Sequence, residues 1–164
     1  MQQTKKGGLK NLMTSNFVAQ DEQFEEKVRK SFARQRAMET LGITLEKIEP
    51  GRIELRMPYN EAYTQQHGFL HAGIVSTALD SACGYAAFSL MPKEAAVLSI
   101  EYKINLLAPA KGDSFIFNGR VLKAGKTVSV CLSEAYSENS GERKLIAQMT
   151  GTMMTVIGRE GVDQ

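Results

Sequence analysis

The stretch Ala72-Gly-Ile-Val-Ser-Thr-Ala-Leu-Asp80-Ser-Ala-Cys-Gly-Tyr-Ala-Ala-Phe-Ser-Leu90 is apolar nearly all round, and Pro92 follows it. Apolarity on every face over this length predicts a helix at 72–90 buried inside a core. Asp80 sits at its centre, which counts against a membrane span. No other apolar run approaches the ~20 residues that a span requires.

Read in steps of three and four, this helix carries a stripe of small or polar residues: Gly73, Ser76, Thr77, Asp80, Cys83, Gly84 and Ala87. Such a stripe lets a backbone or a ligand come close. An ionised carboxylate in a buried helix is costly unless it is hydrogen-bonded or used. Asp80 therefore reads either as a structural acid or as a reactive one. Gly73 has two readings as well. It suits a tight loop-to-helix turn, and it would also let a ligand oxygen reach the first-turn N–H groups, where the helix dipole favours negative charge. Asp80 follows Gly73 by seven residues, ~10 Å along a straight axis. An acid must lie within about 3 Å of its target or of one bridging water. Asp80 thus cannot serve a group held at its own helix start. A second copy running antiparallel could bring the two together.

Beyond Pro92 the period changes. Four strand-like stretches follow, roughly 96–107, 112–123, 126–137 and 144–157. They are separated by Ala108-Pro109-Ala110-Lys111-Gly112, Ala124-Gly125 and Glu138-Asn139-Ser140-Gly141. Turns this short predict an antiparallel meander. Upstream, Gly42 to Met57 reads as two strands joined at Glu49-Pro50-Gly51, with Ile53, Leu55 and Met57 alternating with Glu54 and Arg56. Pro58 to Leu70 is a polar loop ending in Gln65-Gln66-His67-Gly68. Asp21 to Thr40 reads as one amphipathic helix, with Phe24, Val28 and Phe32 on a face. Residues 1–20 read as an arm, 21–158 as a single domain and 159–164 as a tail. A long antiparallel sheet and one buried helix are satisfied when the sheet curls around the helix. The expectation is an α+β hotdog fold with an extra N-terminal helix. Its uncovered edge and outer face predict a homodimer or a pair of dimers.

The chain has 164 residues, a net charge of +2 and no block of like charge, so nucleic acid is not the expected partner. Cys83 and Cys131 lie apart in apolar segments, which predicts free buried thiols and a reducing cytoplasm. Two isolated Cys and two His predict no metal site. The basic N-terminus lacks the apolar segment of a secretory signal.

The segment His67-Gly-Phe-Leu-His71-Ala-Gly73-Ile-Val-Ser-Thr-Ala-Leu-Asp80 resembles the His-Gly-Gly…Asp signature of hotdog thioesterases. The close group is the phenylacetate-degradation (PaaI-like) type, related to the 4-hydroxybenzoyl-CoA thioesterases. Val97-Leu-Ser99-Ile-Glu-Tyr-Lys-Ile-Asn105 with Pro109-Ala110, Val121-Leu-Lys-Ala-Gly-Lys-Thr127 and Leu145-Ile-Ala-Gln148 follow in the family's order. The resemblance spans roughly 42–157. It implies hydrolysis of an acyl-CoA thioester without a cofactor. Asp80 matches the family's nucleophile or general base, and Gly73 the glycine that polarises the carbonyl from the neighbouring subunit. Ser99 matches a residue that places the attacking water. Gln65 holds the place, six before His71, of a side-chain amide that is usually Asn. Ala72 replaces the first glycine of the signature.

His67, Gly68 and Thr77 are then expected on the substrate side, and Lys123 and Lys126 near the CoA phosphates. Without the resemblance, Ser99 shares a polar strand face with Glu101, Lys103 and Asn105. His71, counted with the resemblance among the catalytic candidates, otherwise only braces its loop, and the two lysines are solvated hairpin ends. Two other functions compete. A hotdog hydratase or dehydratase would need a His-Phe-Pro motif that is absent here. An acyl-CoA-binding sensor would need no chemistry at all. Acyl preference is expected to depend on Tyr85, Phe88, Phe69 and the methionines.

Overall fold

A computed structural model describes residues 17–162. Six strands form one antiparallel sheet in the order β1-β2-β4-β5-β6-β3. They are β1 (Thr44–Glu49), β2 (Arg52–Pro58), β3 (Ala95–Leu106), β4 (Ser114–Lys123), β5 (Val128–Asn139) and β6 (Glu142–Ile157). The helix α3 (Ala72–Phe88) lies in the concave face of the sheet. This is the α+β hotdog arrangement that the sequence predicts.

The meander expectation holds for β4, β5 and β6 and fails for β3. Rather than pairing with β4, β3 pairs with β6 at the far edge. Its place beside β4 is taken by β2. Loop brevity misled because the strand separation is small. Three strand steps of about 4.8 Å are about 14 Å, within reach of residues 107–113 at ~3.3 Å each. The link crosses the sheet end and is fastened on the way. Leu107 and Ala108 donate backbone N–H bonds to Ile146 O, and Asp113 donates one to Glu138 O. At this same end of the sheet, Ser140 and Gly141 both take positive φ, 48° and 85°, in the two-residue turn between β5 and β6.

Small residues set how closely the helix meets the sheet. Ala78, Ala82, Cys83 and Ala86 are fully buried on its inner side. A Cβ on Gly119 of β4 would come within 2.1 Å of Ala82 O. Gly119→Ala must push the helix off the sheet and is expected to cost about 1–3 kcal/mol or more. Chemical denaturation of the variant measures this; an unchanged midpoint would mean the close approach is not real. Phe115, Phe117, Leu55, Met57, Met149 and Met153 fill the rest of the core. Cys83 and Cys131 are free and buried. Burial raises both thiols, that of Cys83 to about 12. No helix among the described residues is long and apolar enough to cross a membrane.

In place of one helix over 21–40, the chain forms α1 (Phe24–Arg34) and α2 (Arg36–Leu41), broken at Gln35. The core explains the break. At about 100° per residue, Leu41 on a straight helix would point about 140° away from Val28, yet both are buried. The kink turns Met38 and Leu41 inward. Lys27 fastens α1 to the end of α3, donating to Met91 O at 2.6 Å and Pro92 O at 3.2 Å. A cation there complements the negative end of the helix dipole. Phe17, within the predicted arm, packs on the core, and residues 1–16 lie outside the described residues.

Candidate active site

The stripe on α3 divides in the folded chain. Cys83 and Ala87 are buried, while Gly73, Ser76, Thr77, Asp80 and Gly84 stay wholly or partly open. Small residues opposite the sheet close the core, and small residues on this side leave a channel. Asp80 lies in it, and Ser99 Oγ donates to Asp80 Oδ1 at 2.7 Å. The predicted polar face of β3 is corrected here. A bulge at Ile100 separates the pairs Ser99–Met153 and Glu101–Thr152. One extra residue flips the alternation, so Ser99 joins the inner face with buried Met153. Glu101 faces the other way and accepts from Thr152 Oγ1. The strand irregularity is what aims Ser99 at the acid.

A cavity of about 300 Å³ opens beside this pair, lined by Gln35, Asp80, Ser81, Gly84, Tyr85, Val97, Leu98 and Ser99. Burial raises the Tyr85 phenol, whose oxygen lies 3.3 Å from Ser31 Oγ. A second cavity, about 400 Å³, lies at the start of α3. Its walls include Gln65, Phe69, Ala72, Val75, Leu106 and Pro109. Tyr85 and Phe69 thus line cavities as expected, whereas Phe88 is fully buried in the core. A depression of about 290 Å³ between Lys47, Arg52, Arg120 and Glu134 lies on the outer face of the sheet, away from α3.

The helix start is capped. His71 Nδ1 accepts the Gly73 N–H at 2.9 Å, while the N–H groups of Ile74 and Val75 bond to His71 O. The expectation of free first-turn N–H groups around Gly73 is therefore corrected: the Gly73 N–H is engaged, and an incoming oxyanion must displace the imidazole or use Ala72. His71 does brace the loop, as the residue pattern suggested. Thr77 Oγ1 and Ser76 Oγ both donate to Gly73 O, so Thr77 is turned back on the helix. Gln65 Oε1 accepts the His67 N–H within its own turn, where Gly68 adopts φ 78°. His67 and Gly68 are exposed at the tip. Lys123 and Lys126 are exposed at the β4–β5 hairpin, which lies at the opposite end of α3. There Val121 N–H bonds to Gly51 O, and Gly51 N–H to Ser89 Oγ. One chain thus joins Asp80 to Ser99 but keeps both apart from Gly73, Gln65 and the lysines.

Comparison with known proteins agrees with the fold. A family model described as the thioesterase superfamily matches residues 67–144. The chain is 58% identical to a thioesterase family protein from Silicibacter pomeroyi over 82% of this chain and 99% of that one, with a TM-score of 0.81. The chain belongs to the thioesterase superfamily. Acyl-coenzyme A thioesterase 13 of Homo sapiens is 32% identical over 107 residues, covering 65% of this chain and 74% of that protein. The E. coli PaaI protein from the phenylacetic acid degradation operon is 20% identical, with a TM-score of 0.74 over 82% of this chain and 94% of that one. That last likeness concerns the fold alone.

In this thioesterase, the sequence singled out Asp80 and Ser99, which the fold joins at a cavity, and passed over Gln35, which lines that cavity. Gln35 continues the inward face of Val28 and Phe32, so a polar side chain on an otherwise apolar face was the available signal.

Proposed function

We propose that this thioesterase hydrolyses an acyl-CoA to the free acid and CoA at a site completed by a second copy of the chain. The observation that carries the reading is the Asp80 carboxylate, half-exposed at a cavity mouth and oriented by the Ser99 hydroxyl. With Oδ1 so held, Oδ2 is left to take a proton from water. Water adds to the thioester carbonyl carbon as Asp80 accepts its proton. The carbonyl oxygen becomes an oxyanion at the second copy's helix start, where it takes the Ala72 N–H or displaces His71 Nδ1 from the Gly73 N–H. Collapse breaks the C–S bond, and the proton passes from Asp80 to the departing thiolate. In the alternative route Asp80 attacks the carbonyl carbon directly, the C–S bond breaks to release CoA thiolate, and water then opens the mixed anhydride, regenerating the carboxylate and supplying the proton that the thiolate takes up. Both need the ionised acid and no cofactor. Ser99, donating to the acid, can still accept from the water it helps place. A binding-only sensor has no use for an oriented carboxylate at a cavity mouth.

The second copy is supported by the edge strand. Leu98, Ile100, Tyr102 and Leu106 of β3 are 38–57% exposed. A long apolar edge is a template for pairing with another chain. Pairing there would set two α3 helices side by side, with the Gly73 end of each near Asp80 of the other. A dimer of dimers and a cytoplasmic setting, suited to the free thiols, are the finer parts of this proposal. The test is release of free CoA from a panel of short, long and aryl acyl-CoAs. No release from any member sinks hydrolysis.

Lys123 and Lys126 belong to the proposed CoA-binding surface. Replacing each by Glu is expected to raise KM several-fold with little change in kcat, because phosphates lie remote from the reacting bond. Steady-state kinetics at low ionic strength would reveal it. If KM is unchanged for both, they are ordinary hairpin lysines.

A further inference from the structure

Gln35 and Ser81 bring polar atoms to the Asp80 cavity that no other part of the described chain engages. Gln35 stands alone between α1 and α2, and its side chain makes no capping bond to α2. Its Oε1 is buried without a hydrogen-bond partner. Ser81 is only 6% exposed, and its hydroxyl bonds to none of the described residues. Asp80 gives Oδ1 to Ser99 and keeps Oδ2 open. All three residues line the one cavity of about 300 Å³. The helices deliver them in register. Ser31 of α1 meets Tyr85 of α3, their oxygens 3.3 Å apart. One turn further along α1 and one turn back along α3 come Gln35 and Ser81. Asp80 precedes Ser81 in the chain. A buried polar atom left unpaired costs free energy, so three that face one space call for a shared partner.

Their chemistry says which partner. Asp80 Oδ2 and Gln35 Oε1 only accept, whereas the Ser81 hydroxyl donates as well. Water has two hydrogens to give and two lone pairs to receive with. It satisfies the set with about three hydrogen bonds, the usual number for a buried water, and keeps one lone pair over. Resting on the acyl-CoA reading above, we infer that Gln35 and Ser81 are positioning residues that hold the hydrolytic water against Asp80 Oδ2. The water donates one hydrogen to Oδ2 and the other to Gln35 Oε1, and accepts from Ser81 Oγ. Its remaining lone pair is aimed at the carbonyl carbon. As the C–O bond forms, the O–H bond facing Asp80 breaks and the proton passes to Oδ2. In the direct-attack route the same water opens the anhydride. Ser99 then steadies the acid, while Gln35 and Ser81 steady what the acid acts on.

Hydroxylamine provides the test, because it attacks a thioester or an anhydride as the neutral amine and needs no water site. It yields the acyl hydroxamate, and water yields the free acid. Gln35→Leu and Ser81→Ala are each expected to lower kcat for acid formation by about ten-fold, with KM little changed. The ratio of hydroxamate to acid, corrected for the enzyme-free reaction, should rise by about the same factor. Ser81→Thr keeps the hydroxyl and should return the ratio towards wild type. A purely structural role would lower both products together and leave the ratio fixed. Should Gln35→Leu fail to fold, Gln35→Met removes the acceptor at similar length. An unchanged ratio in the Gln35 variant and in Ser81→Ala overturns the proposal, whether activity is kept or lost. Wild type that releases CoA while the variants leave the ratio fixed defeats this inference alone. Wild type that releases no CoA from any acyl-CoA defeats the reading on which it rests.

Discussion

Asp80→Asn is expected to lower kcat by about 10²–10⁴-fold, the span of general-base assistance, and by at least as much if Asp80 is the nucleophile. Asn is nearly isosteric with Asp, and its side-chain oxygen can still accept from Ser99, which lies 2.7 Å from Asp80 Oδ1. The channel formed by Gly73, Thr77 and Gly84 keeps its shape. What is lost is the anion, and both routes depend on it. The melting temperature should therefore change little while turnover collapses, a split that separates a reacting group from a structural one. Removing an acid from a half-buried position could even raise stability, because reactive sites often trade stability for function. Ser99→Ala should cost less in kcat, since it removes the orienting donor and leaves the carboxylate. Steady-state kinetics and thermal melts on the two variants suffice. Near-normal kcat for Asp80→Asn would reduce the acid to a structural role and end the mechanism.

The second large effect tests where the site's halves come from. A Cβ at Gly73 would sit 3.0 Å from His71 Nδ1 and crowd the helix start, so Gly73→Val and Asp80→Asn should each be nearly inactive. If each site joins Asp80 of one chain to Gly73 of another, co-expressing the two variants creates mixed dimers with one intact site. Random pairing then restores about a quarter of wild-type activity. If each chain holds a whole site, mixing restores nothing. The expected result is restoration, because seven residues of helix separate the two groups by ~10 Å. A wild-type protein that stays monomeric at assay concentration with full activity would also defeat the shared-site reading.

Much of this was readable along the chain because the signals were local. All-round apolarity marked α3, the period change after Pro92 marked the strands, and the small residues around Asp80 marked the channel. The turn at Asn139-Ser140-Gly141 could be read because only certain residues accept positive φ. Sequence by itself thus determined most of the element types and singled out Asp80 on the buried helix. Other features depended on distances between segments far apart in the chain. The place of β3 at the edge beside β6 followed from a link long enough to cross the sheet end, which its length alone did not reveal. The bulge at Ile100 decided that Ser99, and not Glu101, meets Asp80. A single extra residue reverses every later side chain on a strand of period two. The break at Gln35, which brings its amide to the cavity, arose because α1 and α2 must both bury residues against one core. Tertiary structure decided these three because each is settled by where a second segment sits, and no local pattern records that.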